Sequence, residues 1–216
     1  MNIDKETILI VDDHTVVLHG LELMINEIKP QASISTALSS EQVLQHIDDQ
    51  FLFDWMFIDI NLPGLNGIEL LAQLRRREIM SNIIMLSSEL SLDMVEEMLA
   101  FNVNGVLSKA FDKDTFSQCF KTVEQGLVFM PAEIQKNLTF YRQGMLREKR
   151  TIEESMNKRQ ADILLLIANG YSNHEIAKQQ ELSVSTVKTH IGSLLQIFNA
   201  KNRTHCIAEA QRLKII

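Results

Sequence analysis

Cysteine is almost missing from this chain: Cys119 and Cys206 stand 87 positions apart, with no second cysteine or paired histidine at metal-ligand spacing. That excludes a cysteine-based metal site and leaves two buried or idle thiols. Long apolar runs are missing too. None reaches the roughly 18 residues that a membrane span needs, and the start Met1-Asn2-Ile3-Asp4-Lys5-Glu6 is polar and charged. A cytoplasmic location is therefore expected. Low-complexity bias is absent, with 45% hydrophobic and 23% charged residues in 216, so the chain is expected to fold as one medium or two small domains. Positive charge is in deficit as well, 21 basic against 28 acidic residues for a net charge of -7, which at first argues against a nucleic-acid partner.

The deficit is uneven. Residues 1 to 130 carry 8 basic and 20 acidic groups, residues 131 to 150 carry 5 and 2, and residues 151 to 216 carry 8 and 6. Charge thus changes sign along the chain, which points to two domains with different partners. The first 125 residues alternate short apolar runs with amphipathic stretches of helical period, the pattern of an α/β fold with a parallel sheet covered by helices. The runs are Thr7 to Val11, Ser33 to Ala37, Trp55 to Asp59, Ile83 to Ser87 and Gly105 to Ser108. Residues 126–150 read as a linker containing some helix, with Pro131 and Gly144 as breakers. Residues 151–216 hold four helical segments and no strand-like run, an all-α domain. Asn157 with Gln160 and Ser172 with Glu175 have capping-box spacing, and Gly170 marks a helix stop.

In a parallel sheet, ligands collect at the carboxyl ends of the strands. Asp12 and Asp13 end the first run, Asp59 the third, Ser87 the fourth, and Lys109 follows the fifth. Three clustered carboxylates repel one another unless lysine or a hard divalent cation neutralises them, and Mg²⁺ suits carboxylate oxygens. A carboxylate beside such a cation can act as a phosphoryl acceptor, with Lys109 and the Ser87 hydroxyl binding phosphoryl oxygens. The bland alternative, in which Asp12 and Asp13 merely favour the start of the next helix, leaves Asp59, Ser87 and Lys109 unexplained. His14, His19, His46, His174 and His205 show no ligand spacing and are expected as solvent or packing residues. The ten methionines are expected to fill core.

The segments Ile8-Leu9-Ile10-Val11-Asp12-Asp13-His14, Phe57-Ile58-Asp59-Ile60-Asn61-Leu62-Pro63-Gly64, Met85-Leu86-Ser87-Ser88 and Gly105-Val106-Leu107-Ser108-Lys109 resemble the receiver domain of two-component response regulators. The resemblance implies a five-stranded, doubly wound domain in which Asp59 takes a phosphoryl group from a histidine kinase. It also implies Mg²⁺ held by Asp13, Asp59 and the Asn61 main-chain carbonyl, with Asp12 acting through water. Val106 stands where receivers usually carry an aromatic switch residue, and Ala110 where many have proline. Asn61 and Glu89 flank the site at positions suited to guiding a hydrolytic water, which predicts a short-lived phosphate.

In the last domain, Ser172 to Gln179 and Val184 to Phe198 read as two helices joined at Glu181-Leu182-Ser183, with Ser183 as the second N-cap. Val187, Ile191, Leu194 and Phe198 share an apolar stripe, while Ser185, Lys188, Thr189 and Gly192 share another face. The strings Gly170-Tyr171-Ser172-Asn173-His174-Glu175-Ile176-Ala177 and Val184-Ser185-Thr186-Val187-Lys188-Thr189-His190, with Asn202-Arg203-Thr204, resemble the LuxR-type helix-turn-helix. That resemblance implies double-stranded DNA as partner, contacted by Ser185, Thr186, Lys188, Thr189 and His190. Gly192, Gln196 and Ile197 replace residues that are often polar or basic, which predicts weak non-specific affinity. A receiver followed by this module is the arrangement of the NarL/FixJ family: a non-enzymatic transcription regulator, homodimeric on DNA, with room for contact to RNA polymerase. The alternative is a phosphorylation-independent DNA-binding regulator that keeps the receiver only for dimerisation. An aspartyl-phosphate phosphohydrolase is a further rival, but Asn61 stands where its second acid is needed.

Overall fold

The computed structural model describes residues 5–216; residues 1–4, with which the first domain range begins, lie outside the described residues. The chain divides into two compact units, residues 1–137 and 138–216. The first alternates β1 (Thr7–Val11), α1 (Thr15–Ile28), β2 (Ser33–Ala37), α2 (Ser40–Asp48), β3 (Trp55–Asp59), α3 (Gly67–Arg76), β4 (Asn82–Ser87), α4 (Leu92–Ala100), β5 (Gly105–Ser108) and α5 (Lys113–Glu124). Four of the five strands have the bounds read from the sequence, and β4 starts one residue earlier. All pairings are parallel, in the order β2-β1-β3-β4-β5. From β1 the chain passes outward to β2 and then returns to β3 on the other side. This reversal opens a crevice at the carboxyl ends of β1 and β3.

The strand interiors are apolar because both faces of the sheet are covered. Every residue of β3 is buried, whereas the edge strand β2, Ser-Ile-Ser-Thr-Ala, is largely exposed and polar, which discourages pairing with other chains. On one face Trp55, Phe57, Phe116 and Phe120 form an aromatic cluster, with ring centroids 4.7 Å apart for Trp55–Phe120 and 5.0 Å for Phe57–Phe116. Lys29 closes the end of this cluster away from the crevice. Its Nζ lies 2.6 Å from Glu6 Oε2 and 2.7 Å from Glu124 Oε1, and over the rings of Trp55 and Phe120.

After α5, Gly126 turns the chain at φ +75, and Phe129 returns to β5. Phe129 N–H donates to the Asn104 carbonyl and its own carbonyl accepts from Val106 N–H, both at 2.9 Å. This single bridge buries Phe129. Pro131 then precedes α6 (Ala132–Ser155), 24 residues long. Pro131 begins the helix rather than breaking it: no hydrogen bond is needed from its missing N–H there, and its carbonyl accepts from Gln135 at 3.0 Å. Gly144, expected as a breaker, sits inside α6. One exposed glycine costs a helix only about 1 kcal/mol, which the remaining turns offset.

The second unit adds α7 (Lys158–Ala168), α8 (Asn173–Gln179), α9 (Val184–Ile197) and α10 (Arg203–Arg212). Both expected capping boxes form, Asn157 with Gln160 and Ser172 with Glu175. Gly170 ends α7 at φ +84, a conformation open to glycine without strain. The core joins Ile163, Leu164, Ile167, Ile176, Val187, Leu194, Cys206 and Ala210. Burial pushes the thiols up, Cys119 to about 12 and Cys206 to about 11, in keeping with idle cysteines. Among the described residues no helix is long and apolar enough to cross a membrane.

Candidate functional site

The crevice of the first unit is built from strand ends. Asp12 follows β1, its N–H donating to the Ala37 carbonyl at 3.1 Å, and Asp59 ends β3 in register with Leu86. Both carboxylates are fully buried. Gly67, the first residue of α3, packs its Cα against the Asp59 carbonyl so closely that a Cβ would lie 2.1 Å from that oxygen. The close approach holds the β3–α3 loop against the acid. On the other side, Lys109 N–H donates to the Ser87 carbonyl at 2.7 Å, which brings the lysine side chain over the sheet end.

Lys109 Nζ lies 2.6 Å from Asp12 Oδ2 and 2.9 Å from Asp59 Oδ2. Burial lowers the affinity of this ammonium for its proton, but hydrogen bonding and charge from Asp12 and Asp59 outweigh that and hold its pKa above the usual lysine range. The lysine satisfies the pair incompletely. Lys109 meets one oxygen of each carboxylate, and among the described residues the buried Asp59 Oδ1 receives no hydrogen bond. A buried carboxylate oxygen without a partner is costly. A cation or an added donor relieves that cost.

Asp12, Asp13 and Asp59 come together with His14: one ligand atom from each lies within 4.8 Å of all the others. Asp13 is exposed. His14, expected to be a solvent or packing residue, is exposed; its N–H donates to Asp12 Oδ1 at 2.9 Å, and its ring Nδ1 lies 3.2 Å from Asp12 Oδ1 and 2.8 Å from Asp13 Oδ1. Ser87 is buried at the end of β4, but its hydroxyl donates to the Glu89 carbonyl at 2.5 Å. It is thus turned toward its own loop. Asn61 and Glu89 are both exposed beside the crevice, and Val106 is wholly buried within β5. His46 packs edge-on against Phe51 and Phe53, as a packing histidine should.

In the second unit, Ser183 caps α9. Its Oγ accepts from Thr186 N–H at 3.1 Å and shares hydrogen bonds with the hydroxyls of Ser185 and Thr186 at 2.7 and 2.8 Å. The turn before it needs Glu181 at φ +56. Val187, Leu194 and Phe198 are buried and Ile191 partly so, while Ser185, Lys188, Thr189 and Gly192 are exposed, and Thr186 and His190 are half-buried. Thr189 Oγ1 is engaged with the Ser185 carbonyl at 3.1 Å, leaving the Lys188 ammonium as the strongest free donor of that face. Arg203, from the Asn202-Arg203-Thr204 string, is an internal staple: its guanidinium donates to the carbonyls of Ile167 and Tyr171 at 3.1 and 2.5 Å.

Residues 8–121 match the family model of the response regulator receiver domain, and residues 154–210 match that of bacterial regulatory proteins of the luxR family. The chain belongs to the response regulators. It is of the NarL/FixJ type. The nitrate/nitrite response regulator protein NarL of Escherichia coli K12 is 28% identical over 94% of this chain and 93% of its own. The transcriptional regulatory protein DegU of Brevibacillus brevis is 25% identical over 97% and 94%. In fold, this response regulator is similar to RcsB of Salmonella enterica serovar Typhimurium bound to promoter rprA with the phosphomimetic BeF3-, at a TM-score of 0.56 and 19% identity over 95% of this chain and 98% of that one. The receiver of this response regulator therefore carries the acidic cluster, and its luxR-family domain carries the exposed face of α9. Its acidic cluster is compatible with Mg²⁺.

Proposed function

We propose that Asp59 accepts a phosphoryl group from a sensor histidine kinase and that its phosphorylation controls binding of α9 to double-stranded DNA. The observation that carries this reading is the Asp59 carboxylate itself. It is wholly buried at a strand end, 2.9 Å from Lys109 on one oxygen and without a partner on the other. Purely structural carboxylates are satisfied when buried; this one is held ready for a charge it lacks.

The donor set fits a divalent cation, because three carboxylates converge and one buried oxygen is orphaned. Asp12, Asp13, Asp59 and the Asn61 main-chain carbonyl would hold Mg²⁺, which when bound offsets the negative charge of an incoming phosphoryl group. Asp59 is the nucleophile. Lys109 holds the phosphoryl oxygens, and the Ser87 hydroxyl reaches them by leaving the Glu89 carbonyl. Because Val106 is an aliphatic residue packed in β5, the signal leaves the site through that Ser87–Glu89 loop rather than through an aromatic rotamer. Asn61 and Glu89 guide a hydrolytic water, so the phosphate is short-lived. The receiver thus assists its own phosphorylation and dephosphorylation without being an enzyme on other substrates.

The receiver spans residues 1–125, a linker residues 126–150, and the DNA-binding domain residues 151–216. In that domain Lys188 binds phosphate or base edges, and Ser185, Thr186, Thr189 and His190 add contacts. The protein works in the cytoplasm as a homodimer on paired half-sites, where it can meet RNA polymerase. DNA affinity of the full chain measured with and without beryllofluoride, beside Asp59→Ala, tests the reading. Beryllofluoride should tighten binding of the parent alone, and an equal response from Asp59→Ala would overturn the reading.

A further inference from the structure

Basic residues open α7, where the helix dipole opposes them. Lys158 and Arg159 occupy its first turn, and no acidic residue stands with them. Arg159 is exposed, and its Nη1 reaches the segment that joins α8 to α9. It donates to the Gln180 main-chain carbonyl and to Gln180 Oε1, both at 3.1 Å. Gln180 is the C-cap of α8, so its carbonyl lies among those that a helix end leaves without an internal partner. After it the chain turns left-handed. Glu181 takes φ +56, a conformation that costs any residue with a Cβ, before Leu182 N–H donates back to the Ala177 carbonyl at 2.9 Å and Ser183 caps α9. One guanidinium thus ties the start of α7 to a strained turn, and Ser185, Lys188 and Thr189 follow in the opening turns of α9.

We propose that Arg159 is a positioning residue for sequence reading: through Gln180 it fixes the α8–α9 turn, and with it the setting of α9 against the bases. This rests on the reading of α9 as the helix that meets DNA, and it names a residue outside α9 on which that helix depends for specificity. Base edges and phosphates make different demands. A hydrogen bond to a base edge tolerates little displacement, so contacts from Ser185, Lys188 and Thr189 depend on how α9 leaves the turn. Attraction to phosphate rests on charge and survives a small shift. The core beneath the turn, including Ile176, Val187 and Leu194, holds the helices together by apolar contact, which is non-directional. The two bonds from Arg159 are directional. The Gln180 side chain is half-buried and accepts from the same nitrogen as its own carbonyl, so Nη1 is held between two oxygens rather than swinging on one.

The test uses the full chain with beryllofluoride. Its probes are a duplex that the parent selects from a randomised pool and a scrambled duplex of the same composition. Arg159→Ala should lower the affinity ratio between the two by about fivefold, as fits the loss of exposed hydrogen bonds from a charged donor, and leave the salt slope unchanged. Gln180→Leu keeps the carbonyl but loses Oε1 and should lower the ratio by about twofold, while Gln180→Glu keeps the acceptor and should hold the parent's ratio. Amide exchange at Leu182 should quicken in Arg159→Ala and not in Gln180→Glu. Arg159 is exposed and alanine favours helix, so the variant should fold, which circular dichroism verifies. An unchanged ratio in Arg159→Ala overturns the proposal, as does a Gln180→Glu ratio no better than that of Gln180→Leu. Equal losses on both duplexes, with a salt slope lower by about one charge, overturn it too, because they mark direct binding of phosphate. Lys188→Ala separates the two claims. If it weakens binding while Arg159→Ala does not, α9 stands and the positioning role falls; if neither variant matters, or the parent enriches no sequence, the reading of α9 falls with it.

Discussion

Replacing Asp59 by Asn should stabilise the first unit in the absence of divalent cations, although it removes the proposed phosphoacceptor. Asp59, Asp12 and Asp13 place ligand oxygens within 4.8 Å of one another. At an effective dielectric of about 20, each carboxylate pair at that separation repels by about 3.5 kcal/mol, and exposed Asp13 by about half as much after screening. Lys109, 2.9 Å from Asp59 Oδ2, returns about 5.7 kcal/mol on the same scale. Repulsion and attraction therefore nearly cancel. What remains is desolvation, several kcal/mol for a buried ion, against about 1–3 kcal/mol for an incompletely bonded amide. The expected outcome is a gain of about 1–3 kcal/mol, or about 1 M in urea midpoint for a slope near 2 kcal/mol/M. Trp55 is the sole tryptophan and is buried in the aromatic cluster, so its fluorescence reports unfolding of this unit alone. Mg²⁺ at ten times its dissociation constant should stabilise the parent by about 1.4 kcal/mol and the variant by almost nothing. A variant less stable than the parent without Mg²⁺ would refute the claim that the desolvation of the buried Asp59 carboxylate is left uncompensated.

Gly67→Ala should lower stability by about 3 kcal/mol or more in the same urea assay, since the new Cβ meets backbone at 2.1 Å and no flexible side chain can yield. Gly144→Ala has open space around it and should raise the melting stability of the second unit by about 0.5–1 kcal/mol, read by circular dichroism. Lys29 is held above its usual pKa: burial opposes its charge, but hydrogen bonds and charge from Glu124 and Glu6 prevail. Its contribution is therefore complete below the unfolded value of about 10.4 and is lost as pH rises through the raised folded value. Lys29→Met should cost roughly 1–2 kcal/mol, given half-exposed glutamates, and the gap to the parent should stay constant from pH 7 to about 10 and close above it. Lys188→Ala should leave stability within about 0.5 kcal/mol and reduce the salt slope of DNA binding by about one charge; an unchanged slope would remove Lys188 from the interface.

The fold was legible wherever polarity interrupts a pattern. Asp12, Asp59 and Ser87 end runs of buried apolar residues, so the same residues mark both the strand ends and the crevice. Capping boxes at Asn157 and Ser172 were equally readable, because each is a local exchange of two hydrogen bonds among four residues. Helix α6 was not. It carries only two buried residues, Leu138 and Ile152, in 24, so its apolar period is nearly silent, and the single glycine that looked like a break is an affordable defect. Phe129 was missed for the opposite reason: a one-residue bridge is fixed by the edge of β5, not by anything in its own neighbourhood.

Side-chain direction lies beyond what spacing encodes. Ser87 sits where the strand pattern puts it, yet its hydroxyl follows the local backbone and bonds to Glu89 two residues on, the ordinary preference of a serine at a turn. The same local geometry decides His14. Its N–H folds onto Asp12 Oδ1, and that turn brings ring Nδ1 beside the acids while most of the ring stays exposed. A histidine directly after two strand-end aspartates is the signal that could have revealed it. Spacing rules for metal ligands search for residues one helical turn apart, and so overlook three consecutive residues that a turn, rather than a helix, brings to one point.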